Sequence, residues 1–435
     1  MEKGRWKNFE ERVCRPIFSR GAEVFDTAEM ENALLSWLLD SGVCLQDPAH
    51  PAIGGVHAGF DVRSRQWLFV YCEITGYAVS MFCALHLATG ENRYLEAAKV
   101  SARFLLRHQT PATGSFPEGL QIVDLAPMPR HYSFDAAMCI QGLLDLYAIT
   151  RDIELLDASE AAGGWLLTMQ DPSGFFLSNF DSETGLREHP GPYFHEDAGC
   201  LHAKHAIALL KLYSATKDER YEHAARKVCD WVLSLQDADG AFWANSTRSH
   251  VFAHAHCYAT EGLLFACDRL GYSAYQAAVD RSCAWLEKTA DNRYGILGTQ
   301  KIAPGFSPNE ARASHDVFGL FRRLHPRREI ATDATVQAAR LFLHRHLRGD
   351  DDQGAEKATR ILRALIPNVM YRGSLKNAQG GLYARFDISL GFVRASPIIA
   401  TWGVLFAVQA CLLLDAATKK DVSAGAVAIL ARNLF

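Results

Sequence analysis

The sequence predicts an all-α protein, an (α/α)6 toroid in which six helical hairpins close into a double ring. Three observations carry that expectation. A helix pair recurs along the chain. Within each pair an apolar helix precedes an amphipathic one, so the first is buried all round and the second faces water. The chain is also long enough for a large core: 435 residues, 49% hydrophobic and 22% charged.

The copies follow in order. The first helix of copy one spans Gly76 to Gly90, that of copy two Ala137 to Thr150, and that of copy three Ala203 to Thr216. Each closes in a short polar turn: Thr89-Gly90-Glu91-Asn92, Thr150-Arg151-Asp152 and Thr216-Lys217-Asp218. The second helices start alike, Arg93-Tyr94-Leu95-Glu96 in copy one and Arg220-Tyr221-Glu222-His223 in copy three. Their ends share a phrase: Phe104, Gln109, Gly114 and Phe116; Trp165, Gln170, Gly174 and Phe176; Trp231, Gln236, Gly240 and Phe242. The glutamine amides are expected to tie the end of the outer helix to the next turn. Copy four pairs 254–269 with 273–288, and copy five pairs 332–347 with 354–366. A sixth apolar helix, 397–414, takes its partner from 419–433 or from 27–40 near the N-terminus. Residues 300–328, rich in Pro, Arg and His, read as an excursion or lid. The expected organisation is a single domain: an N-terminal segment 1–72 with one helix closing the ring, and the toroid proper over 73–435. Strand signals are few and short. Tandem helical solenoids have shorter repeats, of about 34–47 residues.

The phrase Trp-Leu-x-x-x-Gln-x-x-x-Gly-aromatic resembles the QW repeat of the squalene-cyclase and protein-prenyltransferase superfamily, over roughly residues 70–415. The resemblance implies an α6/α6 toroid, the fold also used by six-hairpin glycosidases, lyases and epimerases. The segment Glu73-Ile74-Thr75-Gly76-Tyr77, with its Thr-Gly-x-x-Arg-Tyr turn, is similar to QW-repeat proteins of bacterial exopolysaccharide gene clusters. The chain departs from the cyclases in lacking an Asp-x-Asp-Asp acid on an inner helix. Asp350-Asp351-Asp352 has the letters of a metal–diphosphate site but falls in the polar turn of copy five, where a charge run reads as solvated.

Several classes are disfavoured. The formal net charge of −4 offers no bulk positive field for nucleic acid. The N-terminus is charged throughout, unlike a secretory signal. The apolar stretches are interrupted and repeat as single helices, so no membrane span is expected. Eleven cysteines, scattered singly and often in apolar runs, read as reduced buried thiols of a cytoplasmic protein. A homodimer is left open.

In a toroid the N-terminal ends of the inner helices converge at one mouth. Aligning the copies sets Ile74, Asp135, Leu201, Ala255 and Asp333 in one position, and Thr75, Ala136, His202, His256 and Ala334 in the next. Asp135 and Asp333 then face each other across the ring, and His202 and His256 sit on adjacent helices. Glu73, Tyr132, His195, Glu196, Asp197 and His254 flank the same mouth. The candidate catalytic residues are Asp135, Glu196, Asp197, His202, His256 and Asp333, suited to general acid/base work on a sugar. The competing role for the acids is helix capping. Six of the 17 histidines fall around two neighbouring helix starts. Imidazole titrates near neutrality, which suits proton transfer. The spacing His254-x-His256 matches no metal signature, so neither metal nor cofactor is expected. Glu73, Tyr77, Tyr132, His195, His254, Tyr258 and Trp402 are the candidate substrate-binding residues, the aromatics as platforms for sugar faces or, more commonly, as core.

The expected function is a carbohydrate- or glycoconjugate-active enzyme, a hydrolase, lyase or epimerase, with a small-molecule or oligosaccharide substrate. The alternatives are a terpenoid-cyclase or prenyl-type enzyme, and a non-catalytic glycan- or peptide-binding toroid in polysaccharide biosynthesis.

Overall fold

The computed structural model describes residues 27–187, 197–290, 295–296, 298–302, 328–389 and 392–418. Twelve α-helices run through them, in two concentric rings. The inner ring is α2 (Cys72–Thr89), α4 (Ser133–Thr150), α6 (His205–Thr216), α8 (Ala253–Leu270), α10 (Thr332–Arg348) and α12 (Thr401–Thr418). The outer ring is α1 (Thr27–Asp40), α3 (Asn92–His108), α5 (Ile153–Thr168), α7 (Glu219–Leu233), α9 (Ser273–Thr289) and α11 (Gly354–Val369). Each inner helix packs on the next, and α12 packs on α2, which closes the circle.

The burial follows the residue pattern. In α2 every residue from Cys72 to Leu85 is buried, whereas α3 buries only a stripe that includes Tyr94, Ala98, Ala102 and Leu105. Five inner helices end at a left-handed residue, Gly90, Arg151, Lys217, Gly271 or Gly349, whose N–H bonds back to the last turn. Between α2 and α4 the backbones nearly touch: a Cβ on Gly142 would come 2.4 Å from the carbonyl oxygen of Gly76.

The repeated glutamines act as clamps. Gln109 Nε2 donates to the carbonyls of Gly114 (2.7 Å) and Ala158 (2.8 Å). Gln170 does the same to Gly174 (3.0 Å) and Ala224 (2.9 Å), and Gln236 to Gly240 (3.1 Å) and Ala278 (2.8 Å). Each amide ties its own turn and also the next outer helix. The following glycine has positive φ, 77°, 111° and 97°, and packs so closely on that helix that no Cβ fits.

The partner of α12 is the N-terminal helix α1. Trp37 of α1 is buried and donates from Nε1 to the carbonyl of Asn377 at 2.9 Å. Strand β1 (Gly59–Asp61) pairs antiparallel with β2 (Ile398–Ala400), fastening the early chain to the late chain. The alternative partner, 419–433, lies outside the described residues, as do 303–327 of the expected excursion. Helix α12 has the length and apolarity to cross a membrane, but 78% of it is buried within the ring. Asp350 and Asp351 pair with Arg348 (3.0 Å) and Lys357 (3.1 Å) in the turn after α10.

Candidate active site

Inner helices α2, α8 and α10 share a device that fixes their registers. Their fourth residues, Thr75, His256 and Thr335, each accept from a backbone N–H of the loop that packs over the helix start. The donors are Val56 (3.1 Å), Phe242 (3.0 Å) and Ile296 (2.9 Å). This aligns Glu73, His254 and Asp333 as second residues, along with Phe134 of α4 and Trp402 of α12. The sequence alignment of copy five is therefore one residue out: Asp333 is equivalent to Glu73 and His254, not to Asp135.

From the second residue the inner helices present a face at spacings of four and three, one side of a 3.6-residue helix. On α2 it is Glu73, Tyr77 and Ser80; on α8, His254, Tyr258 and Glu261; on α10, Asp333, Gln337 and Arg340; on α12, Trp402, Phe406 and Gln409. These faces meet at the ring axis. At the mouth Trp402 Nε1 donates to Asp333 Oδ2 at 3.0 Å, and His254 Nδ1 lies 3.5 Å from the same oxygen. One turn deeper, the Tyr77 and Phe406 rings meet edge-on at 5.4 Å, and Tyr258 stacks against His254 at 4.3 Å. Lys204 enters this layer from the 3-10 turn Cys200–Lys204 that precedes α6. Its Nζ sits 4.9 Å from the Tyr77 ring, 4.5 Å from Tyr258 and 5.6 Å from Phe406. Deeper still, Glu261 joins Lys204 (2.6 Å) and Arg340 (3.1 Å) in a fully buried ion triad.

Electrostatics separate the carboxyls. Burial pushes Glu73 up to about 7, against the opposing influence of the Tyr71 hydroxyl and Lys204. Burial and the neighbouring Glu73 and Glu118 carboxyls push Asp135 well above its usual range. Asp135 accepts at Oδ1 from Tyr71 (3.4 Å), while Oδ2 has no hydrogen-bond partner among the described residues. Burial works to raise Glu261 too, but Lys204 and Arg340 outweigh it and hold Glu261 below the usual range. Burial lowers His254, only partly offset by Asp333, so its imidazole is neutral near pH 7. Burial also draws Lys204 down to about 8.

The structure thus brings together Glu73, Tyr77, Asp135, His254, Tyr258, Asp333 and Trp402. Tyr132 is buried beside them, its hydroxyl accepting from Arg130 at 3.3 Å. Neither acid caps its helix through a conventional side-chain bond, although Asp333 Oδ1 accepts from the N–H of Ala334 at 2.7 Å.

Two expected catalytic histidines are placed elsewhere. His256 points toward the outer ring: besides accepting from Phe242, its Nε2 meets Ser282 Oγ at 2.8 Å and its ring packs on Trp285 at 4.6 Å. His202 is wholly buried among Phe176 and His205, and burial lowers it to about 3. Both are wall residues between the rings. Asp197 is half-buried and bonds to the N–H of Ala198 (3.0 Å) and to Asn245 Nδ2 (3.2 Å), bracing two loops. His195 and Glu196, with the neighbouring aromatics Tyr193 and Phe194, lie outside the described residues.

Sequence reasoning missed Lys204, Glu261 and Arg340. For the last two the signal was present: a charged residue seven positions after His254 and after Asp333, in the apolar middle of each helix. Lys204 gave no such signal, because a 3-10 turn shifts its register. Among the described residues no group of three or more His, Cys, Asp or Glu side chains is arranged to hold a metal.

No protein-family model and no curated protein matches the chain. Solved structures do match it. A cellobiose 2-epimerase from Bacillus thermoamylovorans is similar with a TM-score of 0.64 at 15% identity, over 89% of this chain and 98% of its own. A D-mannose isomerase gives 0.64 at 14% identity, over 91% and 99%. An unsaturated glucuronyl hydrolase specific for heparin gives 0.63 at 10% identity, again over 91% and 99%. The fold is the six-hairpin (α/α)6 toroid. At these identities the likeness carries the toroid's architecture, and the chemistry must come from the residues at its mouth.

Proposed function

We propose that this toroid is a carbohydrate epimerase or isomerase that moves a proton at the carbon beside a sugar carbonyl. The observation that carries the reading is that a neutral, Asp333-supported His254 and Glu73, whose carboxyl is still protonated near neutrality, both face the ring axis at the mouth. In the forward step the His254 imidazole takes the proton from carbon, and the C–H electron pair moves into an enediolate. Glu73 then delivers its proton to the carbon, and the two groups exchange protons with solvent before the next turnover. Asp333, fixed by the Trp402 indole, orients the imidazole and stabilises its charged form. The buried Lys204 supplies positive potential to the developing oxyanion without being the proton donor. The similar solved structures named as an epimerase and an isomerase support this reading.

The carboxyls, imidazole and ammonium gathered at the ring axis favour a polar substrate over a hydrocarbon, which sets the terpenoid-cyclase reading behind. The same proposal keeps the protein in the cytoplasm. Its support is that the ten described cysteines are all free thiols, nine of them buried.

The test is proton nuclear magnetic resonance in deuterium oxide with a panel of aldoses, ketoses and β-1,4 disaccharides. Deuterium should enter at the carbon beside the carbonyl as the sugar is converted. Cleavage of a glycosidic bond without such exchange would replace the proposal with a hydrolase, and binding without either change would replace it with a scaffold.

A further inference from the structure

At the other end of the inner ring the last turns of α2, α4, α6 and α8 line a cavity of about 380 Å³. Its wall runs from about 10 Å to about 20 Å along the helices from the mouth, since Ser80 and Leu87 are 7 and 14 residues after Glu73. Its size is that of a small-molecule site. The body of the cavity is apolar, with Leu144, Ala84 and Ala148 on its walls. Ser80 lines it as well; the residue is 92% buried, and its hydroxyl has no hydrogen-bond partner among the described residues. A buried hydroxyl left unpaired costs free energy unless something meets it. The charged groups are three cations and one acid: Lys211, Arg151, Arg269 and Asp145. Lys211 and Asp145 bond to each other at 2.6 Å. That leaves the two guanidinia at the rim in excess, both exposed, Arg151 lying over the Tyr147 ring and Arg269 over Phe265.

A cation in the last turn of a helix is favoured by the helix dipole, and this accounts for the charge of Arg151 and Arg269. It accounts neither for the concave apolar wall between them nor for the unmet hydroxyl at its side.

We propose that this cavity is a second ligand site, distinct from the cluster of polar residues at the mouth, for a small anion with an apolar body. The apolar part fills the space against Leu144 and Ala148, the Ser80 hydroxyl donates to or accepts from the ligand, and the anionic group meets Arg151 and Arg269. The proposal does not depend on the reaction assigned to the mouth.

Isothermal titration of the full chain with phenyl phosphate tests it, with benzyl alcohol as the uncharged comparison. Phenyl phosphate should bind saturably with one site, and benzyl alcohol much more weakly. The double variant Arg151→Glu/Arg269→Glu reverses exposed charges and should stay folded, its melting temperature lowered only by the unfavourable helix-end charges, while losing at least tenfold in affinity. Ala84→Trp, which fills the cavity, should lose binding too. If Ala84→Trp fails to fold, the charge-reversal variant alone decides. Absence of saturable binding by the native chain overturns the site, as does equal binding by the native chain and the charge-reversal variant, which would put the ligand elsewhere.

Discussion

Two histidines two residues apart show how position decides chemistry. Successive helical residues are about 100° apart, so His254 and His256 point about 200° apart and cannot share a site. His254 faces the axis and Asp333; His256 faces the outer ring and satisfies the N–H of Phe242. Replacing His256 with Ala should lower stability by about 2–4 kcal/mol in urea unfolding, through a lost buried hydrogen bond and a cavity, while the folded variant keeps its activity. Replacing His254 with Asn, or Glu73 with Gln, should do the reverse: a loss of about 10²–10⁴ in turnover with a small change in melting temperature. The pH profile follows from the Glu73 carboxyl. A raised carboxyl is protonated below its folded pKa, so the general-acid form is present below about pH 7 and is lost as pH rises through that value. The rate should fall on the alkaline side near pH 7, and Glu73→Gln should abolish that limb in whatever residual activity remains. A limb that survives in Glu73→Gln would assign the titration to another group.

The clamps and caps carry the argument at the scale of elements. Each repeated glutamine joins two outer helices through one amide, so its removal unfastens more than its own turn. Gln170→Ala should cost about 1–3 kcal/mol, as two buried carbonyls lose their donor, and the effect is read from the urea midpoint at constant m-value. The alternation of apolar and amphipathic helices was legible because burial on both sides demands apolar residues all round. The register of the inner helices was not. Whether Ala334 or Thr335 aligns with His256 depends on a contact between Thr335 and the N–H of Ile296, and that donor lies 39 residues away in the chain.

For the whole molecule the closure of the ring is the decisive feature. Helix α1 covers α12, and Trp37 is its largest buried anchor. Trp37→Ala should lower stability by about 3–5 kcal/mol, measured by thermal melting with circular dichroism, because a large core side chain is lost at the seam. Native thiol titration is a second global check. Of the ten described cysteines only Cys267 is partly exposed, so few should react before denaturation and all of them after it.

Sequence alone determined the architecture: the number of hairpins, which helix of each is buried, the glutamine clamps and the end of the ring where polar side chains gather. These are local facts, written in periodicity and repeated at fixed offsets, and each copy corroborates the others. It also placed Glu73, His254, Asp333 and Trp402 at that end. Only the tertiary structure decided which of the polar residues there share the axis. It turned His202 and His256 outward, set His254 against Asp333, and carried Lys204 from an irregular turn into a box of three aromatic rings. It also chose α1 to close the ring. The physical reason is the same throughout: facing direction and ring closure depend on contacts between segments far apart in the chain, and no single helix carries the record of what it will meet.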